Sequence, residues 1–445
     1  MRKKAALHNL GCKVNAYELE AMQQMLEEAG YEIVPFAPGA DVYVINTCTV
    51  TNIADRKSRQ MLHKAKKMNP DAVVVACGCY VQAAGEELKK DEAIDIVIGN
   101  NKKQNLLDIL QKHWEQDADA DINIIDINHT KEYEELKIAK TAEHTRAYMK
   151  IQDGCNQFCT YCIIPFARGR VRSRQMEDVM EELHTLADAG YQEVVLTGIH
   201  LSSYGTDFDF CEKSEDYPYG TKLLELIEDI EQIERIERVR LGSLEPGIVT
   251  EEFVKRLSAC KKICPHFHLS MQSGCDETLK RMNRRYDTAQ FAERCALLRK
   301  YFPHVALTTD IIVGFPGETE EEFQKTKAYV EQINFFETHI FKYSRRKGTK
   351  AAVMPDQVPD EIKTKRSQEL IELGARHQKE YADAFLNQEV EVLFEEQVEE
   401  QNVAYWQGHT RHYVRALLRS DADLTNVRKM CKVVKIDENG TIYCE

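Results

Sequence analysis

The first part of the chain alternates short apolar runs with longer segments in which apolar residues recur every three or four positions. Four apolar runs predict β-strands at residues 4–9, 41–46, 72–76 and 94–98. The intervening segments predict helices, the first over residues 15–29, with Asn15 as its N-cap and Glu18 completing a capping box. Strands that alternate with helices form a parallel sheet with right-handed crossovers, so this region predicts an α/β domain.

The same alternation resumes near residue 146. Six further strands are predicted at residues 147–152, 193–196, 238–241, 266–271, 305–313 and 337–343. Thr319, followed three residues later by Glu322, predicts a capping box at the start of one intervening helix. Six β/α units predict an incomplete parallel barrel, whose functional residues should lie at the carboxyl ends of the strands. His266 and His268 are interpreted as hydrogen-bonded barrel residues rather than ligands.

The last part of the chain is rich in short β-segments. A long helix from residue 360 to about 386 leads out of the predicted barrel. Five strands follow it, at residues 389–394, 403–406, 412–418, 432–436 and 441–444, and they indicate a small β-barrel. The acidic stretch from residue 117 to about 143 indicates a linker. We therefore predict an N-terminal domain at 1–125, a linker at 126–144, a central domain at 145–377 and a β-barrel at 378–445.

Composition narrows the possible classes of function. The 445 residues carry a net charge of −14, which argues against general nucleic-acid binding but allows local basic patches. No apolar run is long enough to span a bilayer, and the first residues lead into a strand rather than a signal peptide. Fourteen cysteines without a secretion signal favour metal or cluster binding in a reducing compartment. We expect a cytoplasmic protein without membrane contact.

Three cysteines follow the first strand of the predicted barrel. Cys155, Cys159 and Cys162 have the spacing CxxxCxxC. Three thiolates on so short a loop can hold three corners of a cubane iron–sulfur cluster and leave one iron open to a small molecule. A structural zinc site is the alternative, but it needs a fourth cysteine or histidine at short spacing, which the sequence lacks.

Three other cysteines are far apart in the sequence but equivalent in position. Cys12, Cys48 and Cys79 each follow a predicted strand of the N-terminal sheet. Because the carboxyl ends of parallel strands share one edge, these cysteines should converge on a second iron–sulfur site. Cys77 competes with Cys79 for the third position, although the GCY sequence at 78–80 is more typical of a loop. The alternative is three unrelated buried cysteines.

The two cysteine triads together resemble a known family. The sequences GCKVN at 11–15, NTCTVT at 46–51 and GCY at 78–80, combined with CxxxCxxC, resemble the radical S-adenosylmethionine (SAM) methylthiotransferases over nearly the whole chain. The resemblance implies two [4Fe-4S] clusters, an auxiliary one on Cys12, Cys48 and Cys79 and the SAM-binding one on the central triad. Cys77 departs from the family's usual pattern.

The resemblance also implies a SAM site at the strand ends of the barrel. The segment around Thr197 and Gly198 matches the place where the superfamily binds the SAM amino group, and Val313 and Gly314 match the segment that packs on adenine. Polar residues at other strand ends complete the predicted set, namely Ser243, Glu245 and Gln272. Each segment taken alone is equally compatible with an ordinary turn.

The tail resembles a TRAM domain, an RNA-binding module. Its Arg411, Tyr413 and Arg415 combine stacking and cationic groups, as RNA contacts require. Outside the tail, RNA-binding candidates are Arg168, Arg170, Arg345 and Arg346, which follow strand ends that should face the site. The alternative for the tail is a stability or dimerisation module.

The sequences around Cys12 and Cys48 resemble the branch of the family that acts on threonylcarbamoyl-adenosine in tRNA. That branch implies methylthiolation at C2 of adenosine 37, in the anticodon stem-loop, with one SAM used for radical sulfur insertion and a second for methyl transfer. The partners implied are tRNA, a reducing donor of the flavodoxin or ferredoxin type, and a sulfur source. The substrate carboxylate needs a cationic partner, for which Arg168, Arg170 and the pair Arg345–Arg346 are candidates.

Three other functions stay open at this point. The substrate of the same chemistry can be isopentenyl-adenosine in tRNA, or an aspartate of a ribosomal protein. In that last branch, the residues after the first cysteine differ from the Lys13-Val14-Asn15 found here. A non-enzymatic iron–sulfur electron carrier with an RNA-binding tail is the third, but a carrier has no use for SAM-like strand ends.

Overall fold

The computed structural model describes residues 2–116, 121–139, 145–208, 219–400 and 402–445. Its first sheet has six strands in the order β2-β1-β3-β4-β5-β6, and every neighbouring pair is parallel. The strands are β1 Lys4–Asn9, β2 Glu32–Ile33, β3 Val42–Thr47, β4 Val73–Gly78, β5 Ile96–Ile98 and β6 Ile122–Asn123. The helices are α1 Lys13–Glu28, α2 Asn52–Met68, α3 Cys79–Ala84 and α4 Leu106–Trp114. The predicted α/β architecture of this region is confirmed.

The start of α1 differs from the prediction. The helix begins at Lys13 with Cys12 as its N-cap, so the assignment of Asn15 as N-cap is wrong. Asn15 lies inside the first turn, where its side-chain amide donates to the carbonyls of Leu10 and Thr47, both at 3.0 Å. Asparagine is common both at caps and in loop-bracing positions, and local sequence does not distinguish the two.

The central region forms a partial barrel. One sheet has the order β10-β9-β7-β8 and another has the order β11-β12-β13, and isolated bridges between residues 239 and 263 and between 244 and 269 connect them. The strands are β7 Ala147–Asp153, β8 Arg172–Ser173, β9 Glu193–Gly198, β10 Arg238–Leu241, β11 His266–His268, β12 Ala306–Val313 and β13 Glu337–Lys342. The six predicted strands are all present and all parallel, and β8 is a short antiparallel addition at the edge.

Helices cover the outside of the partial barrel. They are α5 Ile164–Arg168, α6 Met176–Asp188, α7 Thr221–Ile230, α8 Glu251–Ala259, α9 Asp276–Arg281, α10 Thr288–Tyr301, α11 Glu320–Ile333 and α12 Asp360–Asp383. The capping box of Thr319 and Glu322 at the start of α11 is confirmed. Within the described residues, no helix is both long and apolar enough to cross a membrane.

The tail is a closed five-stranded barrel in the order β14-β15-β16-β18-β17. Its strands are β14 Glu389–Glu400, β15 Val403–Thr410, β16 Arg415–Leu418, β17 Arg428–Ile436 and β18 Ile442–Cys444. Charged contacts bind it to the central region: Arg238 lies 2.8 Å from the Glu391 carboxylate, and Arg411 donates to the carbonyl of Ile263 at 2.9 Å. The predicted small β-barrel is confirmed.

Part of the predicted linker at 126–144 is packed against the core. Residues 140–144, like the acidic residues 117–120 before it, lie outside the described residues. In the described part, Leu136 and Ile138 are buried in the same apolar core as Tyr17 of α1. The Tyr17 hydroxyl donates to the carbonyl of Leu136. Helix α1 therefore belongs to the packing of both the first sheet and the barrel.

Candidate active site

The central cysteine triad lies on the loop that connects β7 to α5. The loop begins at Gly154, which has φ +73°, and a Cβ there would lie 1.8 Å from the carbonyl oxygen of Arg170. Only glycine fits this close approach of two backbone segments. The amide of Cys155 donates to the carbonyl of Gly169 at 3.0 Å, which closes the loop into a cradle.

The three central cysteines are free thiols that can each bind a different iron of a four-iron cluster. Burial raises the pKa of Cys155 to about 11, so metal binding must displace a proton from this thiol.

An arginine contacts the central triad from the barrel side. Arg284 Nη1 lies 3.2 Å from Sγ of Cys159, and Nη2 lies 2.6 Å from the Glu245 carboxylate and 3.0 Å from the Ser270 carbonyl. Burial would raise the pKa of Glu245, but the Arg284 guanidinium outweighs it and holds that pKa below its usual value. A positive charge next to a cysteine ligand favours the thiolate form. Arg284 is not among the residues predicted from the sequence, because it is 125 residues away from Cys159 along the chain.

A cavity of about 300 Å³ opens beside the central triad. All three of its cysteines line the cavity, together with Ile199, His200, Glu245 and Gln272 from the barrel strand ends. Val50 and Thr51, which follow Cys48 in the N-terminal region, also line it. The cavity therefore connects the central triad with the loop after Cys48, whereas Cys12, Cys48 and Cys79 are not among its lining residues.

The predicted SAM-binding residues divide into two groups. Glu245 and Gln272 line the cavity, whereas Thr197, Gly198, Ser243, Val313 and Gly314 are not among its lining residues. A Cβ at Gly198 would lie 2.9 Å from Cβ of Gln152, so the missing side chain leaves room for Gln152. Gly314 has φ +69° and packs against Lys363 of α12, and its amide donates to Glu318 at 2.5 Å. These two glycines thus have a packing role in this structure.

The second cysteine triad is assembled from three neighbouring strands. Cys12 follows β1, Cys48 follows β3 and Cys79 follows β4, and these strands are adjacent in the sheet. Gly11 has φ +132°, and a Cβ there would lie 3.2 Å from Cβ of Cys48, so the missing side chain lets the first loop approach the second. Burial, together with the neighbouring sulfurs of Cys79 and Cys12, raises the pKa of Cys48 to about 11.

Cys77 points away from this site. It lies within β4, is completely buried and belongs to the apolar core of the N-terminal sheet. Its thiol donates to the carbonyl of Ile45 at 3.5 Å. Residues two apart on a strand share a face, but β4 ends at Gly78, which has φ +96°, and Cys79 begins α3, so the backbone turns between the two cysteines and Cys79 leaves the core for the side of Cys12 and Cys48. The placement favours Cys79 as the third ligand.

Arg168 connects the second triad to the barrel. It is fully buried, and its Nε lies 3.1 Å from Sγ of Cys79. Its other nitrogens bind Glu18 at 2.5 Å, Asn15 at 2.7 Å and Asp153 at 3.1 Å. The side chain has no face open to RNA, so the structure places Arg168 in the support of the cysteine site instead.

Glu18 is the centre of a buried charge network. Besides Arg168, it binds Lys150 at 2.8 Å and Lys103 at 3.1 Å, and all of these side chains are buried. Sequence reasoning missed Glu18 because it treated the residue as part of a capping box. The available signal was a carboxylate on the apolar face of an amphipathic helix, which needs a buried partner.

The other predicted RNA-binding residues differ in accessibility. Arg170 and Arg345 are exposed, and Arg170 lies over the ring of Phe158 at 4.4 Å. Arg346 is buried and lies 2.8 Å from Asp55.

The three candidates in the tail have partners within the protein. Tyr413 stacks on His266 and on His409, with ring centroids 4.9 and 4.8 Å away, and Arg411 donates to barrel carbonyls. Arg415 lies 2.6 Å from Glu400. In this arrangement, Arg411 and Tyr413 contribute to the interface between the tail and the central barrel.

Two family models match different parts of the chain. Residues 149–330 match the model of the Radical SAM superfamily, and residues 4–99 match that of Uncharacterized protein family UPF0004. A solved radical SAM methyltransferase, TsrM from Kitasatospora setae with cobalamin and a [4Fe-4S] cluster bound, has the same fold at a TM-score of 0.57 and 15% identity, over 79% of this chain and 77% of that one. Fold and cysteine sites thus define a radical SAM enzyme.

Curated relatives specify the class further. The chain is 42% identical to the threonylcarbamoyladenosine tRNA methylthiotransferase MtaB of Bacillus subtilis, over 99% of this chain and 95% of that protein. It is 35% identical to the tRNA-2-methylthio-N(6)-dimethylallyladenosine synthase of Acetivibrio thermocellus, over 97% of this chain and 88% of that protein. The chain belongs to the family of radical SAM tRNA methylthiotransferases, enzymes that use SAM and two [4Fe-4S] clusters.

Proposed function

We propose that this enzyme methylthiolates C2 of N6-threonylcarbamoyl-adenosine at position 37 of tRNA, next to the anticodon. The shared cavity carries this proposal, because the loop after Cys48 and the central triad face the same space. A substrate base held there would contact the central triad and the loop that follows Cys48. The similarity to MtaB proteins of three bacteria, at 34–42% identity, supports the threonylcarbamoyl form of the substrate.

The two cysteine triads would form two separate cofactor sites. Cys155, Cys159 and Cys162 would hold the cluster that binds SAM, and Cys12, Cys48 and Cys79 would hold the auxiliary cluster. When the two clusters and SAM are bound, they supply the electron for SAM cleavage, a site for the sulfur that is inserted, and the methyl group.

The protein itself orients the reactants and excludes water. Glu245 and Gln272 offer polar atoms to SAM from the cavity wall, and Arg284 places its charge at Cys159. Apolar side chains from both regions, including Val50 and Ile312, line the cavity beside the central triad. An enclosed, largely apolar space protects a reactive species from side reactions.

The substrate carboxylate needs a cation that is not already paired. Arg168 and Arg346 are buried and already paired with carboxylates, Glu18 and Asp55 respectively. Arg170 and Arg345 are exposed, and we propose that one of them binds the carboxylate. Replacing the residue concerned with alanine should lower kcat/KM by about tenfold or more, because a charge-assisted hydrogen bond is lost. Arg235→Ala, at an exposed ion pair with Asp188, is the matched control.

Isopentenyl-adenosine is the second candidate substrate. The apolar side chains of Ile199, Ile312 and Phe341 in the cavity wall favour it, as does the relative from Acetivibrio thermocellus. The decisive experiment offers both modified tRNAs in competition to the purified, reconstituted enzyme with SAM and dithionite. We expect methylthiolation of the threonylcarbamoyl form. Exclusive reaction of the isopentenyl form would contradict the proposed substrate and leave the enzyme class unchanged.

The remaining partners follow from the chemistry. SAM cleavage needs a low-potential one-electron donor, for which a flavodoxin or ferredoxin is suited, and each turnover needs a sulfur atom from a separate source. A tRNA substrate and such a donor place the reaction in the cytoplasm. We expect the anticodon stem-loop to approach the protein near Arg170, which is exposed and lies over the ring of Phe158 in the cysteine loop.

A further inference from the structure

Three polar side chains lie together beside the cavity. They are His268 on β11, Asp310 on β12 and His339 on β13, and their ligand-type atoms all lie within 4.8 Å of one another. Strand register explains the grouping, because Asp310 pairs with His339 and His268 pairs with Thr308, two residues before Asp310. Asp310 is itself part of the cavity lining. We call these three residues the polar cluster.

The polar cluster has unused hydrogen-bonding capacity. Nδ1 of His268 lies 3.0 Å from the Thr308 hydroxyl, but its Nε2 is buried without a hydrogen-bond partner among the described residues. The Asp310 carboxylate is 3.4 Å from that nitrogen, and the His339 ring stacks on the His268 ring at 5.7 Å. The interpretation of His268 as a hydrogen-bonded barrel residue holds for Nδ1, whereas Nε2 lacks a hydrogen bond among the described residues. An unpartnered buried nitrogen is costly, and a ligand that bonds to it removes the cost.

Exposure increases across the cluster. The side chains of His268, Asp310 and His339 are 12%, 31% and 44% exposed. The polar cluster therefore extends from the protein interior towards solvent, and it contains both a carboxylate and imidazole nitrogens.

The cavity wall around Asp310 is largely apolar. Val50, Ile199, Ile312 and Phe341 give it an apolar lining. An isopentenyl group would fill this lining but leave the polar cluster without partners. A threonylcarbamoyl group brings a hydroxyl, two N–H groups and a carbonyl, which match the acceptor and donor groups of the cluster.

We propose that the polar cluster binds the hydroxyl and carbamoyl groups of the threonylcarbamoyl substituent, with Asp310 accepting hydrogen bonds and His268 and His339 donating them. The inference rests on the proposed function and names the residues that select its substrate. The substituent's carboxylate points away, towards Arg170 or Arg345, because Asp310 would repel it. A site built to hydrogen-bond a substrate discriminates strongly against an analogue that lacks the polar groups.

Two variants test the proposal, Asp310→Asn and His339→Phe. Each is given both modified tRNAs, and the ratio of kcat/KM for the threonylcarbamoyl form to that for the isopentenyl form is measured. We expect this ratio to fall by about tenfold or more in each variant, since hydrogen bonds involving charged groups are lost. Both values come from one preparation, so partial misfolding cancels. His63→Phe and Asp91→Asn, at a surface pair 2.8 Å apart, are the matched controls and should not change the ratio.

The outcomes separate the inference from the proposed function. If the unaltered enzyme modifies the threonylcarbamoyl form and both variants keep its ratio, the inference is overturned and the function stands. If the unaltered enzyme does not modify that form, the proposed function fails first. Two histidines and a carboxylate also suit a divalent cation. Stoichiometric binding of Co²⁺ to the reconstituted enzyme, lost in His339→Phe, would overturn substrate recognition in favour of a metal site, whereas no Co²⁺ binding supports it.

Discussion

The two cysteine triads are similar in chemistry but opposite in construction. Cys155, Cys159 and Cys162 lie on one short loop, so their separation is fixed locally. Cys12, Cys48 and Cys79 come from three strands and meet only when the sheet forms. Each triad nevertheless has one sulfur beside a buried arginine, Cys159 near Arg284 and Cys79 near Arg168. A local site and a topological site therefore receive the same electrostatic support, from residues that are distant in sequence.

The largest expected effect comes from removing the local triad. The unaltered protein, reconstituted without oxygen, should hold about eight irons, as two four-iron clusters require. Alanine at Cys155, Cys159 and Cys162 should leave about half of this iron and abolish the formation of 5′-deoxyadenosine from SAM. Iron analysis and chromatography measure both. Cys295→Ala, a buried cysteine on α10, is the control and should keep both properties. Full iron content with SAM cleavage in the triple variant would show that this triad holds no cluster.

Replacing one ligand of the topological triad should separate the two sites. Cys79→Ala should lose the auxiliary cluster and all methylthiolation but keep SAM cleavage, which depends on the other triad. Cys77→Ala, two residues away in the core, should keep the iron and lose only some stability. Iron content and product analysis distinguish the two variants. The opposite pattern, with Cys79→Ala silent and Cys77→Ala inactive, would reverse the assignment.

The charge network between the two triads should contribute strongly to stability. Glu18→Gln removes the carboxylate that binds Arg168, Lys150 and Lys103, and leaves these cations with less compensation in the interior. Breaking a buried ion pair from one side costs roughly 3–5 kcal/mol, and we expect a loss of this order in the free energy of unfolding. Denaturant titration measures it. Glu28→Gln, at the exposed end of the same helix, should change stability little, and equal effects of the two changes would refute the role of the network.

A smaller effect concerns the pH dependence of stability. Burial would raise the pKa of Glu193, but Arg240, Arg146 and Arg238 outweigh it and hold the pKa at about 2. An unfolded glutamate has a pKa of about 4.3, so Glu193 stabilises the fold at neutral pH. This contribution, on the order of 3 kcal/mol, is lost as the pH falls from about 5 towards 2. Glu193→Gln should flatten stability against pH in that window. A variant with the same acid dependence as the unaltered protein would contradict this role.

The sequence indicated the two triads for different physical reasons. The CxxxCxxC spacing is local chemistry and needs no fold. Cys12, Cys48 and Cys79 could be grouped because apolar periodicity predicts a parallel sheet, and parallel strands end at one edge. The partners of Arg168 could not be predicted, because Glu18 is 150 residues away and no local pattern connects the two. Side chains that bring charge to a site across domains become visible only in the structure.

The tail shows a second limit of sequence reasoning. Arg411 and Tyr413 are residue types typical of an RNA contact. In the structure they contact the central barrel instead: Arg411 donates to the carbonyl of Ile263, and Tyr413 stacks on His266. Cationic and aromatic side chains suit an RNA surface and a protein interface equally well. Composition therefore identified residues that make contacts without identifying what they contact.

The most direct test of the account is the nucleoside content of tRNA. Mass spectrometry should compare cells that lack the gene with cells supplied with the unaltered gene or with the Cys79→Ala form. We predict that the methylthio derivative of threonylcarbamoyl-adenosine disappears without the gene, returns with the unaltered form, and stays absent with Cys79→Ala while its precursor accumulates. An unchanged level of this nucleoside in cells without the gene would contradict the central claim.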